Sequence, residues 1–493
     1  MALSSHPTGS QPKSHPLEGG TEQALKGNGR KPSEEEQVAT VRALRREAAE
    51  RYRPNFESIP SPIRVLARMV RDVQAEALKA GVSWKVLDRE VIDRTIGDVN
   101  VRKITEKIGG VDYSTIGEDL GLIIPGEEIG GRISDGRMRL EMERREQEIE
   151  LRLLRDYNWD IRVYDVFGVG NPLLREKLAA RFQKAWGIPT EVHKTLISIG
   201  ALDGLYRTVL ALSLLFKKKY GEAPTFGFPS PGFAVVNWQA EALGLKLLNI
   251  HTTAESKFKL TYEQMKEMLA SDPELRLLYF TVSNNPTAFS YSPEEIQDVM
   301  RAIEEDGREL AVLADLAYMG TGVPSEDRAR MEAFNTPETL KRTIFINSLS
   351  KVFTLTGDRC GWVSLENHEW ADMLRVCWNN TTAGLPAQWQ LRYTAYIELF
   401  DERPEIQEKI SSLYHLRRDH LRGQLMEMNA KFDLFEEIGM DDHTAIYNWS
   451  KLKPGVDALS VFEKTGVAGV PGCAFGYDNR YIRFSVGFIP IGE

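Results

Sequence analysis

The stretches ELAVLADLAY, residues 309–318, and RTIFINSLSK, residues 342–351, decide the fold. Each is a short apolar run that stops on polar residues, Asp315 to Tyr318 in the first and Ser348 to Lys351 in the second. Runs of this length bounded by turn residues read as buried strands. The pattern recurs upstream in TLISIG, PTFGF, KLLNIH and LRLLYFTV, with amphipathic helical stretches such as LDGLYRTVLALSLLF between them. Such alternation predicts an α/β domain around a largely parallel sheet. Ligands of such sheets bind beyond the carboxyl ends of the strands. Three polar clusters are delivered there: Ser283-Asn284-Asn285, Asp315 to Tyr318, and Ser348 to Lys351.

The rest of the chain frames this domain. Its 493 residues leave room for two or three cores. Apolar content of 42% and charged content of 27% are those of a soluble globular protein. A net charge of −9 argues against nucleic acid as the main partner, because phosphate backbones need a basic face. Cys360, Cys377 and Cys473 form no CxxC pair, and the eight histidines have no ligand spacing, so neither a disulfide framework nor a metal site is expected. No apolar h-region opens the sequence and no run of 18 apolar residues occurs, so the expectation is a cytoplasmic protein without a membrane partner. Residues 1–35 have a disordered composition, and 36–115 read as a helical extension. Residues 116–165 are assigned to the start of a small domain, 166–384 to a large cofactor-binding domain, and 385–493 to a C-terminal small α+β domain.

Lys351 carries the chemical argument. A lysine amine forms a Schiff base with a carbonyl cofactor when something stabilises the charge that later builds up. Pyridoxal phosphate needs a lysine, a carboxylate at its pyridine nitrogen, donors at its phenolic oxygen and a phosphate cup. Asp315 is the candidate carboxylate, and Asn285 and Tyr318 are the candidate donors. The cup would combine Ser348, Ser350, Arg359 and the backbone N–H groups of Ala201 and Leu202, which open a helix in SIGALDGL.

From about residue 115 the chain resembles the fold-type I pyridoxal-phosphate enzymes of the class I/II aminotransferase family. The matching motifs are YDVFGVGNPLLREKLAARF, SIGALDGL, SNNPTAFSYSPEE, ADLAY, SLSKVFTLTGDRCGW and GVAGVPGCAFGYDNRYIRFSVG, in the family's order. The resemblance implies a large domain with a mostly parallel sheet, a smaller α+β domain, and a homodimer with shared active sites. It implies that Arg483, with Asn285, binds the substrate α-carboxylate, a task suited to a guanidinium fork. It implies that Tyr164 reaches the cofactor phosphate of a neighbouring subunit, as the segment Thr381 to Gly384 also would. The implied reaction moves an amino group from an α-amino acid to a keto acid, with Lys351, Asp315 and Tyr318 as the catalytic set and a place in amino acid metabolism or biosynthesis.

Three features depart from the family. Ser230 stands where an aromatic residue usually stacks on the cofactor, leaving Phe228 or Phe233 for that task. The asparagine loop ends in Thr287-Ala288, where many relatives have glycine, and the N-terminal extension is long. They keep open a non-transaminating reaction of the same cofactor: β- or γ-elimination or replacement, cyclisation, decarboxylation or oxidation. No second arginine for a dicarboxylate is assigned; Arg132 and Arg162 are nearby candidates.

Other readings fare worse. Ser348-x-x-Lys351 and Lys464-Thr465-Gly466 imitate penicillin-binding elements, but no SDN lies between them. Gly168-x-Gly170 lacks the third glycine of a dinucleotide site. A regulator that keeps an enzyme-like fold is disfavoured by the presence of Lys351, Asp315 and Arg359 together.

Overall fold

The computed structural model describes residues 32–55, 62–95, 136–165, 167–439 and 446–486, with four two-residue strands between 107 and 133. Most of the stretch expected to be disordered, and the side chain of Arg132, lie outside the described residues.

Seven strands form the central sheet: β1 (Thr195–Ile199), β2 (Thr225–Ser230), β3 (Leu247–His251), β4 (Leu275–Thr281), β5 (Ala311–Asp315), β6 (Thr343–Ser348) and β7 (Cys360–Leu365). Their order is β1–β7–β6–β5–β4–β2–β3. Neighbours are parallel except at β7, which runs antiparallel to β6 and β1. The near-continuous apolar runs of the inner strands follow from burial on both faces. Along β5, Ala311 and Leu313 enter one core while Val312 and Ala314 enter the other. On β4, Leu277 and Tyr279 join the first core, and Leu278 and Phe280 the second. This is the period of two that a strand imposes.

A four-stranded antiparallel sheet builds the small domain, in the order β8 (Phe435–Glu437), β9 (Tyr447–Leu452), β11 (Tyr481–Ser485), β10 (Val470–Pro471). The expected helical extension contains α1 (Glu34–Tyr52), α2 (Pro62–Lys79) and α3 (Trp84–Glu90). Ser33 and Glu36 close a capping box at the start of α1. The apolar faces of the three helices pack with Leu459, Phe462 and Ala468 of the small domain. After α3 the chain becomes extended: Ile92–Asp93 pairs in parallel with Val467–Ala468, and Ser485 N donates to Arg94 O. The extension therefore ends inside the small domain, next to β11.

Candidate active site

The site lies beyond the carboxyl ends of the inner strands. At one end of it, α4 (Gly200–Tyr220) starts as soon as β1 stops. Gly200 takes φ +76°, a left-handed turn that glycine adopts at no steric cost. The N-cap residue, Ile199, has no side-chain oxygen to satisfy the first N–H groups of the helix, so Ala201 and Leu202 open an anion-favouring end. The Arg359 guanidinium lies against this turn: a Cβ on Gly200 would stand 2.5 Å from its Nη2. Gly361 allows the close approach, since a Cβ there would stand 2.4 Å from the carbonyl carbon of Gly200. Because β7 runs antiparallel, its first residues meet the last residues of β6 at this same edge. There Ser348 Oγ donates to Ser350 Oγ at 2.9 Å and accepts from Ser350 N at 3.0 Å.

Lys351 follows at once and is partly buried. Its carbonyl accepts from Tyr414 Oη at 2.5 Å, a bond that ties the lysine backbone to helix α5 (Glu405–Phe432). Asp315, at the end of β5, is buried and accepts from Tyr279 Oη at 2.7 Å and from Ala317 N at 3.0 Å. Burial pushes its carboxyl above the ordinary range, against the pull of those two bonds.

A chain of hydrogen bonds spans the remaining side. Arg483 Nη1 donates to Asn285 Oδ1 at 2.8 Å, and Asn285 Nδ2 donates to Tyr318 Oη at 3.0 Å. Tyr318 Oη stands 3.1 Å from Tyr447 Oη. Arg483 Nη2 donates to the carbonyl of Thr95 at 2.5 Å, so the N-terminal extension reaches the site. Arg483 is buried and its Nε has no partner among the described residues. A buried guanidinium with a spare N–H is prepared for an anion.

Of the sequence-derived residues, Asn285, Tyr318 and Arg483 are in contact, Asp315 and Ser348 end the adjacent strands β5 and β6, and Ser350 and Lys351 follow β6 directly. Tyr164 stands apart: it is 83% exposed, next to a cleft of ≈ 300 Å³ that it lines together with Thr382, Ala383 and Gly384. Arg162 is paired with Asp160 at 2.7 Å on the surface. Ser230 is no stacking group; its hydroxyl donates to the carbonyl of Gly476 in the small domain. Phe228 is fully buried and stacks on Tyr279, with ring centroids 5.8 Å apart, whereas Phe233 is half-buried. Ala288 adopts φ +66°, the left-handed backbone that favours the glycine of relatives.

Four residues at the site were not found from the sequence: Thr95, Tyr279, Tyr414 and Tyr447. Tyr279 left a readable signal, since a buried phenol inside a parallel strand needs a partner and Asp315 ends the neighbouring strand. The other three lie far from the motifs in sequence.

The fold and this strand-edge geometry define a fold-type I pyridoxal-phosphate enzyme. The chain belongs to the aminotransferase class I and II family, whose model matches residues 168–488, more than half of its length. It is 27% identical over 325 residues to the aromatic-amino-acid aminotransferase 2 of Thermococcus litoralis, covering 63% of this chain and 76% of that one. It is also 27% identical over 264 residues to the LL-diaminopimelate aminotransferase of Halothermothrix orenii, covering 52% of this chain and 63% of that one. Among solved structures, the aspartate aminotransferase of Rhizobium meliloti superposes with a TM-score of 0.62 at 18% identity, covering 88% of this chain and 94% of that one. At that identity the superposition speaks for the fold. Members of this family use pyridoxal 5'-phosphate. The residues present suit that group: a glycine-lined cradle under an arginine matches a phosphate, and a buried carboxylate whose partners are neutral donors matches a protonated ring nitrogen.

Proposed function

We propose that this chain transfers an amino group from an α-amino acid to a keto acid, with pyridoxal phosphate held at Lys351. The observation that carries the reading is the meeting of Arg483, Asn285 and Tyr318 in one hydrogen-bonded chain, beside the strand ends that bear Asp315 and Lys351. When bound, the cofactor supplies a carbonyl that condenses with amines and a ring that draws electrons from the substrate α-carbon. Ser348, Ser350, Arg359 and the N–H groups of Ala201 and Leu202 take its phosphate. Asp315 holds a proton at the ring nitrogen, and Asn285 and Tyr318 donate to the phenolic oxygen. Lys351 Nζ would anchor the group and, when free of it, would hold and move the proton of the substrate α-carbon. Arg483 holds the substrate carboxylate, which fixes the α-proton toward Lys351.

The active unit in this reading is a homodimer. Val163, Tyr164 and Phe167 are 63%, 83% and 66% exposed in sequence with one another, a grouping of large apolar side chains that a second copy would cover. Tyr164 would then reach the partner's phosphate cup.

The anchoring is tested by reducing the purified holoprotein with borohydride and mapping the labelled peptide. The label is expected on Lys351; a label on any other lysine rejects the assignment.

A further inference from the structure

The proposed donors to the cofactor leave one proton unaccounted for. Tyr318 Oη has a single proton to give and two lone pairs. Asn285 fills one lone pair, and its amide is held in that sense because its Oδ1 accepts from Arg483. The remaining neighbour is Tyr447, 3.1 Å away, and either oxygen can be the donor. If Tyr318 donates to Tyr447, it has nothing left for a cofactor oxygen. If Tyr447 donates to Tyr318, both lone pairs are filled and the Tyr318 proton is available.

The surroundings favour the second arrangement. Tyr447 opens β9 opposite Ser485, and Trp449 stands opposite Arg483, so Tyr447 and Arg483 are diagonal neighbours on one face of the sheet. The Arg483 guanidinium sits over the Tyr447 ring, 4.1 Å from its centroid. Burial raises the Tyr447 phenol, but the positive charges of Arg483 and Lys351 and the bond to Tyr318 outweigh it, leaving Tyr447 below the ordinary phenol range. Burial, with Tyr447 beside it, pushes Tyr318 well above that range; Arg483 opposes this and Asp315 adds to it. The cation over the Tyr447 ring draws charge from its oxygen and polarises its O–H, which makes Tyr447 the better donor of the two.

We propose that Tyr447 is a positioning residue of this site: its hydroxyl donates to Tyr318 Oη and thereby turns the Tyr318 proton toward the phenolic oxygen of the bound cofactor. This rests on the cofactor reading above and adds a residue that touches neither phosphate nor substrate carboxylate. A bond to the ionised phenolic oxygen counts for most when the lysine imine has lost its proton, so losing that bond makes the imine hold its proton to higher pH.

The test is a pH titration of the visible absorption of the holoenzyme in wild type, Tyr447→Phe, Tyr318→Phe and the double variant. Tyr447→Phe keeps the ring under Arg483 and removes only the hydroxyl. The midpoint is expected to rise in Tyr447→Phe, by less than about one pH unit, because Tyr318 keeps its proton but loses the donor that polarises it. It should rise at least as far in Tyr318→Phe, and no further in the double variant. An unchanged midpoint in Tyr447→Phe overturns the proposal, as does a shift that adds in full to that of Tyr318→Phe. Loss of cofactor binding in Tyr447→Phe also counts against it, because the hydroxyl directs a proton and does not build the pocket. A wild-type protein that takes up no cofactor instead removes the reading beneath it.

Discussion

In the proposed site Asp315 faces the ring nitrogen of the cofactor from a buried place, and Tyr279 orients its carboxylate. The phenol reaches Asp315 Oδ2 from the neighbouring strand, on the same sheet face, and its own ring is locked against Phe228. A charge-assisted bond of this kind contributes more than a neutral one. Tyr279→Phe leaves the stacked ring in place and removes the bond. It is expected to weaken cofactor binding by about 1–2 kcal/mol, roughly tenfold in Kd. Titrating the apoprotein with cofactor measures it, and unchanged affinity would show that Asp315 is oriented by other groups. Arg483 is a comparable case: it donates to Asn285 and to a carbonyl of the extension, which together fix the guanidinium plane.

At the level of elements, the site depends on how closely β7 passes the start of α4. Gly361 makes that contact, with backbone atoms of Gly200 and Ala201 at 2.4–2.8 Å from where a Cβ would stand. Gly361→Ala must push the helix start away from the strand. Overpacking of this kind costs about 1–3 kcal/mol, and the loss should appear both in thermal stability and in cofactor affinity if Ala201 belongs to the phosphate cup as proposed. Normal cofactor affinity in a destabilised variant would separate the helix start from the cup. The legibility of the sequence follows the same lines. β4, β5 and β6 are continuous apolar runs ending on polar residues, so both the strands and the polar groups they deliver could be read directly. β7 could not, because Cys360, Gly361 and Ser364 dilute its apolar run and it follows the lysine loop without an intervening helix. The helix start at Ser292 was also readable: Ser292 and Glu295 form a capping box with Pro293 at the first position. Tyr447, Tyr414 and Thr95 stayed hidden because their places depend on the small-domain sheet, helix α5 and the extension folding back on the site. Those are tertiary contacts that local pattern does not encode.

For the whole molecule, the proposed dimer rests on Tyr164, which is 83% exposed in the single chain. Mixing a Tyr164→Phe chain with a Lys351→Ala chain should create hybrid dimers in which one site has both an intact lysine and an intact tyrosine. Activity above the mean of the two parents is expected, and activity equal to that mean argues against shared sites. The central claim, that this chain moves an amino group through Lys351, is tested most directly by a single half-reaction. Holoenzyme is mixed with a panel of α-amino acids in the absence of any keto acid, and the cofactor spectrum and products are followed together. The account predicts, for an accepted amino acid, one keto acid formed per active site, full conversion of the cofactor to its aminated form, and then arrest. Sustained turnover of an efficiently processed amino acid with no acceptor present would contradict it.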